Sequence, residues 1–165
     1  MKAVIEGKEL TWQKVISSDL RRCQDFSVEL SQQLSLPIEI NAQFQEIDFG
    51  LWDGQLLSEL YEGNDAENLF QFMHSSLTPP EGEAYELFKA RVQMEWQKLL
   101  NALMGGNIEH CLLVTHGGVI RSIISEVLGM PEQNLLRLDV PHACLSRITQ
   151  YEGSPASLSF HNGAL

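Results

Sequence analysis

The stretch CLLVTHGGVIRSIISEVLG, residues 111–129, decides the fold class of this chain. Its first four residues are apolar or small, as in a strand that is buried on both faces of a parallel sheet. Two glycines follow Thr115 and His116, and apolar residues then recur at helical spacing until Gly129, where a helix would stop. The order of strand, tight turn and helix predicts one unit of an α/β domain.

His116 falls at the carboxyl end of this predicted strand, where open α/β sheets bind ligands. The next helix offers free N–H groups to an anion, and Gly117 and Gly118 remove side chains where a ligand would approach the backbone. Arg121 lies one turn into the helix. The same residues fit a buried strand whose terminal histidine only caps the sheet, so this stretch alone leaves both interpretations open.

Composition limits the classes to which the protein can belong. Its 165 residues, 44% of them hydrophobic, are enough for one domain with a proper core. A net charge of −11 argues against a nucleic-acid or membrane-surface partner, because phosphate groups would be repelled. Three irregularly spaced cysteines predict free thiols in a reducing cytosol. Because no apolar run approaches about 20 residues and the amino terminus lacks a signal-peptide core, we expect a cytoplasmic protein.

A second strand followed by a helix is predicted near the amino terminus. Residues 12–18 form the strand, Asp19 caps the helix, and apolar residues recur at helical spacing over residues 20–34. Arg22 falls in the first turn, where a cation opposes the helix dipole, so a negative partner is expected nearby. The alternative is a solvated arginine on an exposed helix face.

The loop QEIDFGLWDGQ, residues 45–55, sets acidic side chains among aromatic residues and glycines. Such a loop is typical of an ordered cover over a cleft, and one of its carboxyls, Glu46, Asp48 or Asp53, could act as a general acid. A turn with solvated acids is the alternative. Residues 52–78 are expected to form a small cap with two short helices.

The remaining elements follow from periodicity. Residues 1–7 fit a helical turn or two, residues 38–44 a strand, and residues 84–104 the longest helix. Residues 143–151 and 156–160 predict an antiparallel hairpin at the edge of the sheet. The long helix has a predicted buried stripe of Leu87, Phe88, Val92, Trp96, Leu99, Leu100 and Leu103.

The sequence lacks the common signatures of metal and dinucleotide sites. No CxxC, HExxH, Walker loop, GxGxxG or GxSxG motif occurs. His110 and His116 would lie roughly 20 Å apart along a strand, too far to share a metal ion. We therefore expect neither a metal nor another cofactor.

Four segments together resemble the histidine phosphatase superfamily, which has the phosphoglycerate-mutase-like fold. They are SSDLRRCQDFS at residues 17–27, QEIDFGLWDG at 45–54, PPEGEAYELFKARV at 79–92 and LLVTHGGVIR at 112–121. The EIDFGLWDG loop is most similar to the α-ribazole-phosphatase branch, which removes phosphate from a cobalamin-pathway nucleotide. The resemblance implies one three-layer αβα domain over residues 1–165 and a small-molecule phosphomonoester as substrate. A phosphoglycerate-mutase-like phosphatase of broad specificity is the alternative.

The resemblance also implies roles for individual residues. Arg22 corresponds to a phosphate-binding arginine, Glu46 to the acid/base carboxylate, and His116, as a protonated donor, to the second histidine of the pocket. Gly117 would also contact the substrate, and Glu83 would lie near the rim of the pocket. The family's nucleophile is a histidine in an Arg-His-Gly motif at the end of the first strand, and that triplet does not occur in these 165 residues.

The absent triplet leaves two hypotheses. In the first, the chain is most of a phosphomonoesterase that lacks the family's first strand and phosphate loop, and it turns over little or no substrate. In the second, it is a non-catalytic phosphoester-binding or regulatory remnant. A missing strand would leave its neighbours with unpaired backbone groups, so self-association into a homo-oligomer is a further expectation.

Overall fold

A computed structural model describes residues 4–5, 8–9, 11–55 and 78–163. In this part of the chain the strands are β1 (Val4–Ile5), β2 (Lys8–Glu9), β3 (Lys14–Ser17), β4 (Ile38–Ile40), β5 (Cys111–Val114), β6 (Leu145–Thr149) and β7 (Ser157–Gly163). The α-helices are α1 (Arg21–Leu34), α2 (Tyr85–Met104) and α3 (Gly117–Leu128). Short 3-10 helices cover Ala42–Phe44, Gly50–Trp52 and Glu132–Arg137. None of the helices described is both long and apolar enough to cross a membrane.

Three parallel strands in the order β4-β3-β5 form the sheet that carries the candidate site. In β3, Ile16 pairs with Glu39 of β4 on one side and Leu113 of β5 on the other. The pairing continues past the strand ends, because the Ser18 N–H donates to the Val114 carbonyl at 3.0 Å. Parallel strands end at the same edge of a sheet, so the segments that follow them meet there.

Helices cover both faces of this sheet. α1 packs against all three strands, and α2 and α3 pack against each other. Ile16 of β3 belongs to the core cluster under α2 and α3, whereas its fully buried neighbour Val15 points to the opposite face, towards α1. The main members of the cluster besides Ile16 are Phe44, Phe88, Val92, Trp96, Val119 and Ile123. The predicted three-layer α/β fold is confirmed.

The helices that follow β3 and β5 begin close to their predicted positions, but α1 is capped differently. α3 ends as predicted at Gly129, whose φ of 58° lies in the left-handed region that favours glycine. The prediction that Asp19 caps α1 is wrong, because Leu20 occupies the cap position and makes no side-chain cap hydrogen bond. The Asp19 carboxylate instead accepts a hydrogen bond from Gln45 Nε2 at 2.6 Å. This bond ties the start of α1 to the loop that follows β4.

α2 confirms the long predicted helix, with one error in its buried stripe. Phe88, Val92 and Trp96 are buried as predicted. Leu87 is 65% exposed, because it lies in the first turn of α2 and faces a cleft beside Glu46 rather than the core. The buried stripe instead begins at Tyr85, a residue that the predicted stripe did not include.

Among the described strands, β5 pairs with β3 alone. β6 and β7 form the predicted antiparallel hairpin, but as a two-stranded sheet of their own rather than at the edge of the parallel sheet. A cavity of about 630 Å³, lined by Leu113 and Ile148 among others, lies between β5 and β6. Leu112 is the one buried residue of β5, so the prediction of a strand buried on both faces is wrong. No described strand lies on the other side of β5, and that side borders the cavity, which explains the difference.

Three other predictions concern less regular segments. The prediction of helical turns over residues 1–7 is wrong at Val4–Ile5, which pairs antiparallel with Lys8–Glu9. The strand predicted over residues 38–44 ends at Ile40, and Ala42–Phe44 forms a 3-10 turn that buries Phe44. The two helices predicted for the cap lie within residues 56–77, outside the described residues.

Candidate active site

The candidate site lies where β3 and β5 end and α1 and α3 begin. His116 follows β5 and occupies the cap position of α3. Ser18 follows β3, and Arg22 lies in the first turn of α1. Two strand-to-helix connections thus bring side chains from distant parts of the sequence to the carboxyl edge of the sheet, where α/β proteins bind ligands.

His116 is buried, with 6% of its surface exposed, and both of its ring nitrogens have hydrogen-bond partners. Arg22 Nε lies 3.1 Å from Nδ1, and Ser18 Oγ lies 2.8 Å from Nε2. An arginine N–H can only donate, so Nδ1 accepts, and the proton of the neutral ring sits on Nε2. Burial, followed by the positive charge of Arg22, lowers the pKa of His116 to about 4. The ring is therefore neutral at pH 7, which differs from the protonated donor that the resemblance implied.

Arg22 uses one of its N–H donors on His116. A guanidinium has five N–H donors, and Nε of this exposed side chain supplies the one that His116 accepts. The other donors meet no acceptor within the described residues, nor does the backbone N–H of Gly117 at the start of α3. A phosphate at this helix N-terminus could take hydrogen bonds from both groups.

Glu46 is held against the first turn of α3. Its Oε2 accepts a hydrogen bond from the Gly118 N–H at 2.9 Å, and its Oε1 accepts one from the Ile47 N–H at 3.2 Å. A Cβ on Gly118 would overlap the Glu46 carboxyl group and would come within 3.3 Å of Phe88 Cζ. Glycine at this position is therefore what lets the carboxylate lie on the helix, two residues from His116.

Glu83 lies beside this loop, but both of its carboxylate oxygens are bound by Arg91. Arg91 Nε donates to Oε1 at 2.7 Å and Arg91 Nη2 donates to Oε2 at 2.8 Å. The two side chains are 19% and 18% exposed. Glu83 thus makes a partly buried ion pair, and its predicted contact with substrate stays a prediction.

A cavity of about 410 Å³ adjoins Glu46 on the side of α2. Its wall includes Gln45, Glu46, Asp48, Gly82, Glu83 and Arg91. It is the space next to the predicted acid/base carboxylate in which a leaving group could lie.

Sequence analysis missed four residues of this region. Ser18 and Cys23 contact the His116 ring, and the Cys23 thiol lies 3.6 Å from Nε2. Burial raises the pKa of Cys23, so this side chain is a neutral thiol. Thr115 Oγ1 donates to the Phe44 carbonyl at 2.8 Å. The fourth residue is Arg91. Its position next to Val92 and three residues after Phe88, both in the buried stripe of α2, is a sequence signal for a buried charge.

The structure thus brings Arg22, Glu46 and His116 to the N-terminus of α3, where Gly117 is the first helical residue, whereas Glu83 is bound by Arg91. Their chemical roles stay predictions. Among the described residues, no three His, Cys, Asp or Glu side chains are grouped as a metal site, and the expectation of no metal stays a prediction as well.

A family model of the histidine phosphatase superfamily (branch 1) matches residues 4–163. The chain belongs to the histidine phosphatase superfamily. The resemblance carried by the four segments is therefore confirmed at the level of the family. Two named relatives of this histidine phosphatase chain indicate how much of a whole protein it spans.

The adenosylcobalamin/alpha-ribazole phosphatase of Escherichia coli is 29% identical over 136 residues, which are 81% of this chain and 65% of that protein. A bifunctional protein of Mycobacterium tuberculosis is 27% identical over 148 residues, which are 90% of this chain and 40% of that protein. The histidine phosphatase chain therefore spans less than two thirds of the length of both relatives.

A solved structure of a mycobacterial glucosyl-3-phosphoglycerate phosphatase has the same fold. Its TM-score is 0.74, and the match covers 93% of this chain and 79% of that one at 22% identity. At this identity the likeness shows the fold alone, and it agrees with the phosphoglycerate-mutase-like fold that the four segments implied.

Proposed function

We propose that this chain supplies most of the substrate pocket of a phosphomonoester hydrolase of the histidine phosphatase type. The observation that carries the proposal is the contact between Arg22 and His116 at the N-terminus of α3, beside the Glu46 carboxylate. Phosphoryl transfer spreads negative charge over several oxygens, so it needs fixed donors around the phosphorus and an acid for the leaving oxygen. These side chains are of the types that the reaction needs.

Each residue has a distinct proposed role. The free N–H groups of Arg22 and the Gly117 N–H bind the phosphate oxygens. A bound dianion favours the protonated form of His116, so substrate binding takes up a proton at Nδ1. The Arg22 N–H that Nδ1 accepts then turns to the phosphate, and Nδ1 becomes a second N–H donor in the pocket. Glu46, held by Gly118, acts in its protonated form: it gives a proton to the leaving oxygen, and the resulting carboxylate takes a proton back from the water that later releases the phosphate.

We propose α-ribazole phosphate as the substrate, which would place the protein in cobalamin biosynthesis. Two observations support this: the EIDFGLWDG loop at residues 46–54, and the Escherichia coli relative, whose name includes alpha-ribazole phosphatase. Three cysteines without disulfides suit the cytoplasm. The net charge of −11 suits a small-molecule partner better than nucleic acid or a membrane surface.

A second candidate function, phosphoester binding without turnover, is favoured by the state of His116. A histidine nucleophile needs one ring nitrogen with a free lone pair in line with the phosphorus. In His116, Nδ1 accepts from Arg22 and Nε2 carries the proton. We therefore expect His116 to bind the phosphate from the side rather than to attack it.

Hydrolysis of p-nitrophenyl phosphate by the 165-residue chain, with and without added imidazole, separates the two functions. We expect little turnover alone and a clear increase with imidazole, which can attack the phosphorus, release nitrophenol and then lose the phosphate to water. With phenyl phosphate, whose more basic leaving oxygen needs a proton, the increase should disappear in Glu46→Gln if Glu46 is the acid for the leaving group, whereas nitrophenyl phosphate should be affected less. No rescue would favour the binding function.

A phosphohistidine trap tests the assignment of His116. If the chain alone turned over substrate, and if His116→Ala abolished both turnover and a trapped phosphohistidine, His116 would be the nucleophile and its proposed role would be wrong. Rates with α-ribazole phosphate and with phosphoglycerates, measured under the same rescue, then decide the substrate. Equal rates would favour the alternative of broad specificity.

A further inference from the structure

Arg91 is a largely buried cation to which the proposed reaction gives no role. It lies in the second turn of α2, its side chain is 18% exposed, and its guanidinium carbon is 5.0 Å from the centre of the Phe88 ring. Withdrawing a cation from water is costly unless hydrogen bonds and an opposite charge compensate for it. The partners of Arg91 therefore indicate what it is for.

All five N–H donors of Arg91 are used within the protein. Two of them bind the Glu83 carboxylate. Two on Nη1 donate to the backbone carbonyls of Gln43 at 2.8 Å and Gln45 at 3.0 Å, and one on Nη2 donates to the Glu46 carbonyl at 3.2 Å. No donor remains for a substrate, so Arg91 is not a phosphate-binding residue.

The three carbonyls belong to one short segment, residues 43–46, that leads from the 3-10 turn after β4 to the predicted acid. The segment is thereby attached to α2 through its backbone. At its end, the Glu46 side chain turns the other way and binds the Gly118 N–H of α3. The Glu46 residue is thus fixed at two points, its carbonyl by Arg91 and its carboxylate by Gly118.

We propose that Arg91 is a positioning residue for Glu46, and that Glu83 acts through Arg91 rather than on the substrate. The inference rests on the proposed function of Glu46 as the acid. Only a guanidinium can serve these five acceptors together, since its donors are fixed in one plane, whereas a lysine has three donors on a flexible stem. Glu83 balances the charge of Arg91 and fixes the orientation of its plane through two parallel hydrogen bonds.

The Gly118 amide reports directly on this arrangement, because its N–H donates to the Glu46 carboxylate. Its hydrogen exchange, followed in ¹⁵N NMR spectra, should therefore be slow. In Arg91→Met we expect exchange of the Gly118 amide to be about tenfold faster or more, as for a lost hydrogen bond to a charged group.

Two further variants and a control keep the test independent of folding. Arg91→Lys keeps the charge but not the fork of donors, and Glu83→Gln keeps the shape but not the charge, so both should speed Gly118 exchange in a chain that still folds. Lys98→Met removes one charge from the exposed face of the same helix, where Lys98 is 63% exposed, and should leave the Gly118 amide unchanged. An unchanged Gly118 amide in Arg91→Lys and Glu83→Gln would overturn the proposal.

Phosphate titrations separate this outcome from a failure of the proposed function. If inorganic phosphate does not bind to the unmodified chain but Gly118 responds to Arg91→Lys, the phosphatase assignment fails and the positioning role stands. If phosphate binds and Gly118 does not respond, the positioning role alone is wrong. In an imidazole-rescued reaction, Arg91→Lys should lower kcat with little change in KM, because it displaces the acid and leaves the phosphate donors in place.

Discussion

Acid should destabilise this protein through His116 in particular. The pKa of His116 is lowered to about 4 in the folded chain, by burial and then by the charge of Arg22. In the unfolded chain an unperturbed histidine has a pKa of about 6.5. Because the unfolded state binds the proton first, the stability contributed by the neutral ring is complete above pH 6.5 and is lost as the pH falls from 6.5 to 4.

The size of the effect follows from the two pKa values. Between pH 7.5 and pH 4.5, the unfolded state gains about 2 to 3 kcal/mol from protonation of this one ring relative to the folded state. His116 is 6% exposed, so screening by water reduces this figure little. A loss of this size is a large part of the 5 to 15 kcal/mol that is roughly typical of a domain.

Urea unfolding of the unmodified chain and of His116→Gln, at pH 7.5 and pH 4.5, measures this contribution. Glutamine can accept from Arg22 and donate to Ser18 but cannot gain a proton, so the acid loss due to carboxylates is common to both proteins. We expect the unmodified chain to lose about 2 to 3 kcal/mol more than the variant. Equal losses in the two proteins would refute the assignment of a buried, neutral His116.

Three more predictions follow from the site and the sheet. Gly118→Ala should displace the Glu46 carboxylate and lower the imidazole-rescued hydrolysis rate by about tenfold or more. The control Gly105→Ala, at the exposed end of α2, should leave this rate unchanged. Equal rates in the two variants would contradict the account of Glu46. The edge of β5 that no described strand covers should cause self-association that rises with protein concentration in light scattering, and Leu113→Lys should reduce it. A monomer at all concentrations would count against this. EDTA should leave phosphate binding unchanged in calorimetry, because side chains supply the positive charge, and a loss of binding would indicate a metal.

The α/β layers of the fold, and the edge of the sheet that carries the candidate site, could be predicted from sequence because each depends on a local pattern. The strand at Cys111–Val114 and the helix up to Gly129 follow from an apolar run and a 3.6-residue period, and His116 falls at their junction whatever surrounds it. Parallel pairing of two such units then brings Arg22 next to His116. In this case the local order of strand, turn and helix was enough to predict that Arg22 and His116 lie at the same edge of the sheet.

Other features depended on contacts between distant residues, which no local pattern reveals. Aspartate is a residue type favoured at helix N-caps, but the Asp19 carboxylate accepts a hydrogen bond from Gln45 of another loop. Arg91 and Glu83 look like ordinary charges on a helix and a loop until α2 is packed against the segment that carries Glu46. The ionisation of His116 depends on burial, and a resemblance between motifs carries no information on burial in this chain.

Phosphate binding by the unmodified chain and two arginine variants tests the central claim most directly. Arg21 and Arg22 are adjacent, but Arg21 is 91% exposed and meets Asp25, whereas Arg22 contacts His116. In titrations with inorganic phosphate at pH 7, followed by calorimetry, we predict that Arg22→Met weakens binding about tenfold or more while Arg21→Met changes it less than about twofold. Equal effects of the two substitutions, or no binding of phosphate by the unmodified chain, would contradict a phosphate site at the N-terminus of α3.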